Sequence, residues 1–294
     1  MKRPLHILKL NRFVLLLLTV AALLFLAACG GQREMAPNPY EGMVQVSNGA
    51  GGMMWVKLRE GLEASDFDAG DFSNAGNFIN YTGNDYTAIR GIDVSSHQGD
   101  IDWEMVAGDG VEFAMIRAGY RGYTEGGLYE DEKFHENVQG ALTAGLRVGV
   151  YFFSQAVNET EALEEAQFVL DLIEGYDVSL PVAFDWEEID ETARTDGVDG
   201  KTITDCCQAF CRAVEEAGYE PAVYFYRRLG YFEYDLERLN GLKFWVGALG
   251  DSPDFYYQHH IWQYSITGQV SGIQGDVDLD IYFEKNEPPA SGES

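Results

Sequence analysis

Leu180-Pro181-Val182-Ala183-Phe184-Asp185-Trp186-Glu187-Glu188 is a short apolar run that ends in carboxylates. Pro181 has no N–H to give to a sheet ladder and suits the first residue of a strand, while Val182, Ala183 and Phe184 read as a strand covered on both faces. Side chains alternate along a strand, so Asp185 and Glu187 point to the same side, about 6 to 7 Å apart at ~3.3 Å per residue, and Glu188 faces the other way. Two carboxylates at one strand end are what glycosidic bond cleavage needs, one held protonated as acid and one kept ionised. In isolation, a solvated acidic loop after a buried strand would look the same.

Outward from this stretch, short apolar runs alternate with amphipathic ones from Ala88 onward, the signature of a β/α architecture with a mainly parallel sheet. Strands are expected at 89–94, 113–118, 147–154, 180–186, 221–226, 244–249, 261–265 and 277–283, with helices at 101–107, 131–144, 159–174 and 202–217. Ala162, Ala166, Val169, Leu170 and Ile173 share one face of the third helix. Eight strands with no linker between them imply a closed, irregular single-domain (β/α) barrel, TIM-like, with helices sparse after the fifth or sixth strand. In such a barrel the site lies at the C-terminal ends of the strands. Those ends carry Asp93 and His97, Arg117 and Tyr120, Tyr151 and Phe153, Asp185 and Glu187, Tyr224 and Tyr226, Trp262-Gln263-Tyr264, and Asp276, Asp278 and Asp280. Aromatic faces around acids suit sugar rings, which makes Tyr120, Tyr151, Phe153, Tyr224, Trp262 and Gln263 the candidate substrate-binding residues.

The 294 residues, 46% hydrophobic and 13% aromatic, suffice for a large core, in one barrel-sized domain or two smaller ones. Lys2, Arg3, Lys9 and Arg12 precede an apolar run from Phe13 to Leu26, too short for a membrane span and typical of a signal peptide. The run ends in Leu26-Ala27-Ala28-Cys29, which resembles the lipobox of bacterial lipoproteins and implies a lipid on Cys29. Residues 1–28 would then be a leader, 29–40 a lipidated N-terminus and tether, 41–88 an irregular N-terminal extension, 89–285 the barrel and 286–294 a disordered tail. Loss of the leader removes four positive charges and no acid, moving the net charge from −28 to −32. So acidic a surface excludes nucleic acid as a partner and repels anionic lipid, leaving the acyl chain to hold a monomer at the membrane. Cys206, Cys207 and Cys211 crowd one helix without a nearby His and are read as small buried residues with no chemistry.

The motifs Gly91-Ile92-Asp93-Val94-Ser95-Ser96-His97-Gln98-Gly99, Asp102-Trp103, Phe113 to Tyr120, Gly149-Val150-Tyr151-Phe152-Phe153, Phe184-Asp185-Trp186-Glu187, Trp262-Gln263-Tyr264-Ser265 and Val277-Asp278-Leu279-Asp280 resemble, in order, those of glycoside hydrolase family 25, the N-acetylmuramidases or lysozymes. The resemblance runs from about Ile89 to Phe283. It implies an irregular β/α barrel that cleaves the β-1,4 bond between N-acetylmuramic acid and N-acetylglucosamine in peptidoglycan, outside the cytoplasm. By motif position Glu187 resembles the catalytic acid, and Asp185, Asp93 and Asp278 the other active-site carboxylates. Asp280 stands where the family commonly has Asn, which adds a negative charge near the acids. Trp245-Val246-Gly247-Ala248-Leu249 departs from the family's usual Trp-Leu-Ala-aromatic run, at a place where a sugar subsite would feel it.

Like charges a few ångströms apart raise one another's pKa, and Glu187 is expected to be the carboxyl that stays protonated. The substrate's own acetamido oxygen can attack the anomeric carbon, with Asp185 stabilising that group; an inverting route through an activated water is the other option. No cofactor or metal is called for. A metal hydrolase using Asp93, His97 and Asp278 lacks a paired-His motif, and a catalytically weak, membrane-anchored peptidoglycan-binding protein would hardly keep every matched carboxylate.

Overall fold

Short runs of β-branched and aromatic residues closed by Gly, Asp or Asn set the strands. The computed structural model describes residues 38–286; the expected leader over 1–28, Cys29, the tether as far as residue 37 and the tail from residue 287 lie outside the described residues. Residues 38–41 form a turn in which Glu41 N donates to Asn38 O at 3.1 Å, and a separate compact unit begins at Gly42.

The stretch 41–88, expected to be irregular, carries two antiparallel hairpins, β1 (Met43–Ser47) with β2 (Met53–Lys57) and β3 (Phe72–Ala75) with β4 (Phe78–Tyr81). The barrel opens with β5 (Tyr86–Val94), three residues earlier than the apolar pattern alone predicts, and continues with β6 (Phe113–Arg121). A short strand that sequence reading missed, β7 (Leu128–Glu130), folds back on β6 outside the barrel. Then come β8 (Arg147–Ser154), β9 (Val182–Trp186), β10 (Pro221–Tyr226), β11 (Lys243–Gly247), β12 (Ile261–Gly268) and β13 (Val277–Lys285). Neighbours from β5 round to β12 pair parallel, through β6, β8, β9, β10 and β11. The last strand is antiparallel to both β12 and β5, and its pairing with β5 closes an eight-stranded mixed barrel. The sheet is thus mainly parallel, as expected, with the last strand the exception. Only residues 269–276 join β12 to β13, too few for the crossover a parallel return needs, so the next strand runs the opposite way.

The helices are α1 (Trp103–Gly108), α2 (Phe134–Thr143), α3 (Glu159–Ile173), α4 (Gly200–Glu216) and α5 (Arg227–Phe232). Asn158 caps α3 through Glu161 N at 3.1 Å, and the buried side of that helix is Ala162, Ala166, Val169 and Ile173. The cap of α4 is Asp199, which accepts from Thr202 N at 2.8 Å and starts the helix two residues before the expected Thr202. Cys206, Cys207 and Cys211 are buried on this helix as free thiols, with the Cys207 and Cys211 sulfurs 4.0 Å apart.

After β11 no connection holds a helix, as expected, and the outer face of β12, β13 and β5 is covered by the β3–β4 hairpin and the residues just before it instead. Phe72 on β3 meets Trp262 at 5.6 Å between ring centroids, and Phe67, just before it, meets Phe283 at 4.3 Å. Phe78 and Asn80 on β4 receive Arg90 of β5, whose guanidinium lies 4.8 Å over the Phe78 ring. The other hairpin buries Val46 and Val56, and Ser47 accepts from Arg227 of α5. The extension is therefore part of the barrel's core. Phe72→Ala removes a ring from the centre of this aromatic cluster, and it should lower stability by about 3 kcal/mol, read as a lowered midpoint in chemical denaturation.

Candidate active site

Alternation along the strands sends one set of side chains into the barrel. Phe113, Met115, Ala183, Ala222, Ile261 and Tyr282 pack its interior, and Tyr151, Tyr224 and Trp245 form the next layer. Above them opens a cavity of about 210 Å³ at the C-terminal ends of the parallel strands. It is lined by Asp93, Asp185, Glu187 and Asp278, by Arg117, His97 and Gln263, and by the rings of Tyr151, Phe153, Tyr224 and Trp245. A larger groove of about 890 Å³ lies on the barrel's outside against α1 and α2 and touches none of these residues. Asp278 reaches the cavity because β13 runs backwards: its N-terminal end lies beside the C-terminal end of β5, where Asp278 is the cross-strand partner of Asp93.

A chain of hydrogen bonds ties four strands, β10, β12, β5 and β13, together across the cavity floor. Tyr224 donates its hydroxyl to Gln263 Oε1 at 2.8 Å, and Gln263 Nε2 then donates to Asp93 Oδ2 at 2.8 Å and to Asp278 Oδ2 at 3.1 Å. Gly247 allows this, since a Cβ there would sit 2.7 Å from the Tyr224 hydroxyl and 3.2 Å from Gln263 Oε1. The departure from Ala at this position thus has a local reason. Arg117 is held by Asp131, with Nη2 to Oδ2 at 2.7 Å, and its charge opposes the rise in the Asp185 pKa.

Desolvation dominates the acids. Burial raises Asp185 well above the ordinary carboxylate range, with the charge of Glu187 adding to it; burial also raises Glu187, helped by Asp278. Asp93 is raised by burial and by the charges of Asp280 and Asp278, and burial lifts Asp278 to about 6. Asp185 is buried and one of its oxygens has no donor among the described residues, whereas Glu187 is half-buried at the cavity edge. Such a cluster holds protons near neutral pH and can give one to a bound group. Glu188, outside the cavity lining, accepts from Tyr226 and Arg228 instead.

The loop that carries Glu187 is fixed from beneath. Gln155, fully buried, donates to the Glu187 carbonyl at 3.0 Å and accepts from Thr195 at 2.6 Å. Arg194 donates to the Gln155 carbonyl and grips Glu161 of α3 with both terminal nitrogens at 2.7 Å. Arg121 joins the same helix through Glu165, whose carboxyl burial pushes up to about 7 against the opposing Ser154 and Arg121 contacts.

Of the expected substrate-binding residues, Tyr151, Phe153, Tyr224 and Gln263 line the cavity. Two do not. Trp262 is fully buried on the outer side of β12, donating to Ala248 O at 2.7 Å beneath the β3–β4 hairpin; one residue of alternation separates it from Gln263. Tyr120 stands beside the cavity, stacked on Tyr129 at 5.3 Å and under the Arg117 guanidinium. Trp245 was missing from the expected set, although its two-residue spacing from Gly247 gives its direction. Asp93, His97 and Asp278 share the cavity, yet among the described residues no group of three or more His, Cys, Asp or Glu is arranged to hold a metal ion.

Residues 92–273 match the family model described as glycosyl hydrolases family 25. The autolytic lysozyme of Clostridium acetobutylicum is 30% identical over 197 residues, 67% of this chain and 56% of that protein. Lysozyme M1 of Streptomyces globisporus is 31% identical over 209 residues, 67% of this chain and 69% of that protein. Among solved structures, the modular autolysin LytC of Streptococcus pneumoniae is similar with a TM-score of 0.60 and 26% identity, over 82% of this chain and 57% of that one; it has also been solved with a synthetic peptidoglycan ligand. The bacterial lysozyme of Streptomyces coelicolor gives a TM-score of 0.54 and 25% identity, over 69% of this chain and 94% of that one. The chain thus spans little more than half the length of the Clostridium and Streptococcus proteins.

The raised acids fix a pH dependence of stability. Asp278 at about 6, Glu165 at about 7 and Asp280 at about 8 stand above their ordinary values of 3.8, 4.5 and 3.8, so the folded chain keeps protons that the unfolded chain has released. Their contribution is fully present below about pH 4 and is lost as pH rises through the 6 to 8 range. The melting temperature should accordingly be several degrees higher at about pH 5 than at about pH 8.5, as scanning calorimetry at constant ionic strength would record.

Proposed function

Since the chain belongs to glycosyl hydrolase family 25, we propose that it hydrolyses peptidoglycan at the β-1,4 bond between N-acetylmuramic acid and N-acetylglucosamine. The observation that carries this reading is the convergence of Asp93, Asp185, Glu187 and Asp278 on one cavity walled by aromatic rings. The peptidoglycan ligand held by the Streptococcus pneumoniae autolysin supports the same substrate class.

Glu187 is the general acid. It is the half-buried member of the strand-end pair, its proton is retained by burial and the nearby Asp278 charge, and its backbone is held by Gln155. It gives that proton to the leaving glycosidic oxygen as the bond to the anomeric carbon of the muramic acid breaks. The acetamido carbonyl oxygen of the same sugar attacks that carbon, forming a cyclic oxazolinium; water then opens it, returning a proton to Glu187. Asp185, deeper on the same side of β9, stabilises the acetamido group while its charge develops, and Asp93 and Asp278, bridged by Gln263, hold the sugar. Tyr151, Phe153, Tyr224 and Trp245 offer ring faces to the sugars.

The enzyme works outside the cytoplasm, tethered by a lipid on Cys29 after removal of residues 1–28. The charged start, the apolar run and Leu26-Ala27-Ala28-Cys29 support this. Cys29→Ala should release the protein from membranes or leave it unprocessed; a variant that fractionates and migrates like the parent would rule out lipidation.

Glu187→Gln keeps shape but has no proton to give, and turnover of purified peptidoglycan should fall about 10²–10⁴-fold with glycan binding largely kept. Asp185→Asn should cost about 10²–10³-fold. Glu188→Gln, facing away, should change little. Circular dichroism establishes that each variant is folded, and mass spectrometry of the released muropeptides identifies the bond by its reducing-end sugar. A Glu188→Gln defect as large as that of Glu187→Gln would sink the assignment.

A further inference from the structure

Asp280 lies two residues beyond Asp278 on the same side of β13, fully buried and outside the cavity lining. Its Oδ1 accepts from Trp245 Nε1 at 2.8 Å. Its Oδ2 is buried without an N–H or O–H donor among the described residues, yet its carboxyl group is in hydrogen-bonding contact with that of Asp93. Asp93 in turn takes the Gln263 amide on its own Oδ2. An ionised carboxylate only accepts, so two of them in contact repel; a proton between them turns the contact into a strong bond.

We infer that Asp280 is a positioning residue for Asp93, the two carboxyl groups sharing one proton that braces Asp93 beneath the substrate. Around the pair stand Asp278 on the same strand, Arg117 on β6, Tyr151 on β8, Asp185 and Glu187 at the end of β9, Tyr224 on β10 and Tyr264 on β12, while β11 presents the neutral Trp245. The cation in this set, Arg117, is engaged by Asp131, which leaves the proton as the partner available to the pair. Burial pushes Asp280 up to about 8 and Asp93 well above the ordinary range. The brace is consequently in place at neutral and acid pH and is lost as pH rises past about 8, where two charges face each other in a dry site.

The effect on turnover rests on the muramidase reading, whereas the shared proton does not. Asp280→Asn can accept from Trp245 through Oδ1 and donate to Asp93 through Nδ2 without titrating. It should recover most of the turnover lost in Asp280→Ala at about pH 6, and its kcat/KM should no longer fall through the parent's alkaline limb near pH 8. Asp280→Ala, which strands the Trp245 N–H and unbraces Asp93, should lose at least about tenfold at about pH 6, where the parent's brace is in place. Infrared difference spectra read the proton directly on the folded protein: the parent should show a protonated-carboxyl C=O band that titrates near pH 8 and is missing from Asp280→Asn. A variant that keeps the full band overturns the shared proton. A lost band with an unchanged pH profile overturns the positioning role. If the parent turns over no peptidoglycan, the proposed function fails while the spectra still decide the proton.

Discussion

Four carboxyl groups share a cavity of about 210 Å³ with one guanidinium, and the cost of ionising them together is the constraint on which the rest of the site depends. In water these acids would all be charged at neutral pH. Inside the barrel, desolvation raises each of them, and mutual repulsion adds to it for Asp93, Asp185 and Glu187. The floor beneath answers this with neutral donors. The Gln263 amide bridges Asp93 and Asp278, the Trp245 indole serves Asp280, and Tyr224 fixes the amide's direction. Arg117, already neutralised by Asp131, tempers Asp185 without discharging the cluster. Acids that hold protons near neutrality follow from this balance.

The same constraint explains why the barrel closes as it does. A final parallel strand would carry its C-terminal residues to the cavity, and Asp278 would lie at the far end. The antiparallel β13 brings its beginning there instead, opposite Asp93. The reversal needs no helix, which leaves the outer face of β12, β13 and β5 without a helical layer. Phe67, Phe72, Phe78 and Tyr81 from the N-terminal segment fill it. A strand end that must point a carboxylate inward and an extension that must cover the strand's back are thus parts of one arrangement.

Support for Glu187 comes from a different quarter. The residue stands just beyond β9, where no ladder bond holds it, and the polar layer of Gln155, Thr195, Arg194 and Glu161 takes over. Charged pairs buried between α3 and the loop are costly to desolvate, but each is hydrogen-bonded, and the resulting rigidity suits a group whose proton has to meet one oxygen.

The amino-acid sequence by itself determined the eight barrel strands, the four helices that precede β10, the resemblance to the family and the acid motifs, because period-two alternation and strand-end carboxylates are local properties. Asp185 facing the site follows from a single strand's geometry, and Glu187, just past the strand's end, lines the same cavity while Glu188 does not. Tertiary structure decided what depends on neighbours. The direction of β13 could not be read from Val277 to Phe283, whose pattern is the same either way. Trp262 and Gln263 are adjacent in sequence, and only the hairpin lying over β12 made one core and the other site. The hairpins themselves were hidden in a Gly-, Asp- and Asn-rich stretch whose apolar residues find partners only on the barrel. Asp280, read as one more charge near the acids, became a buried neighbour of Asp93 when β13 folded against β5.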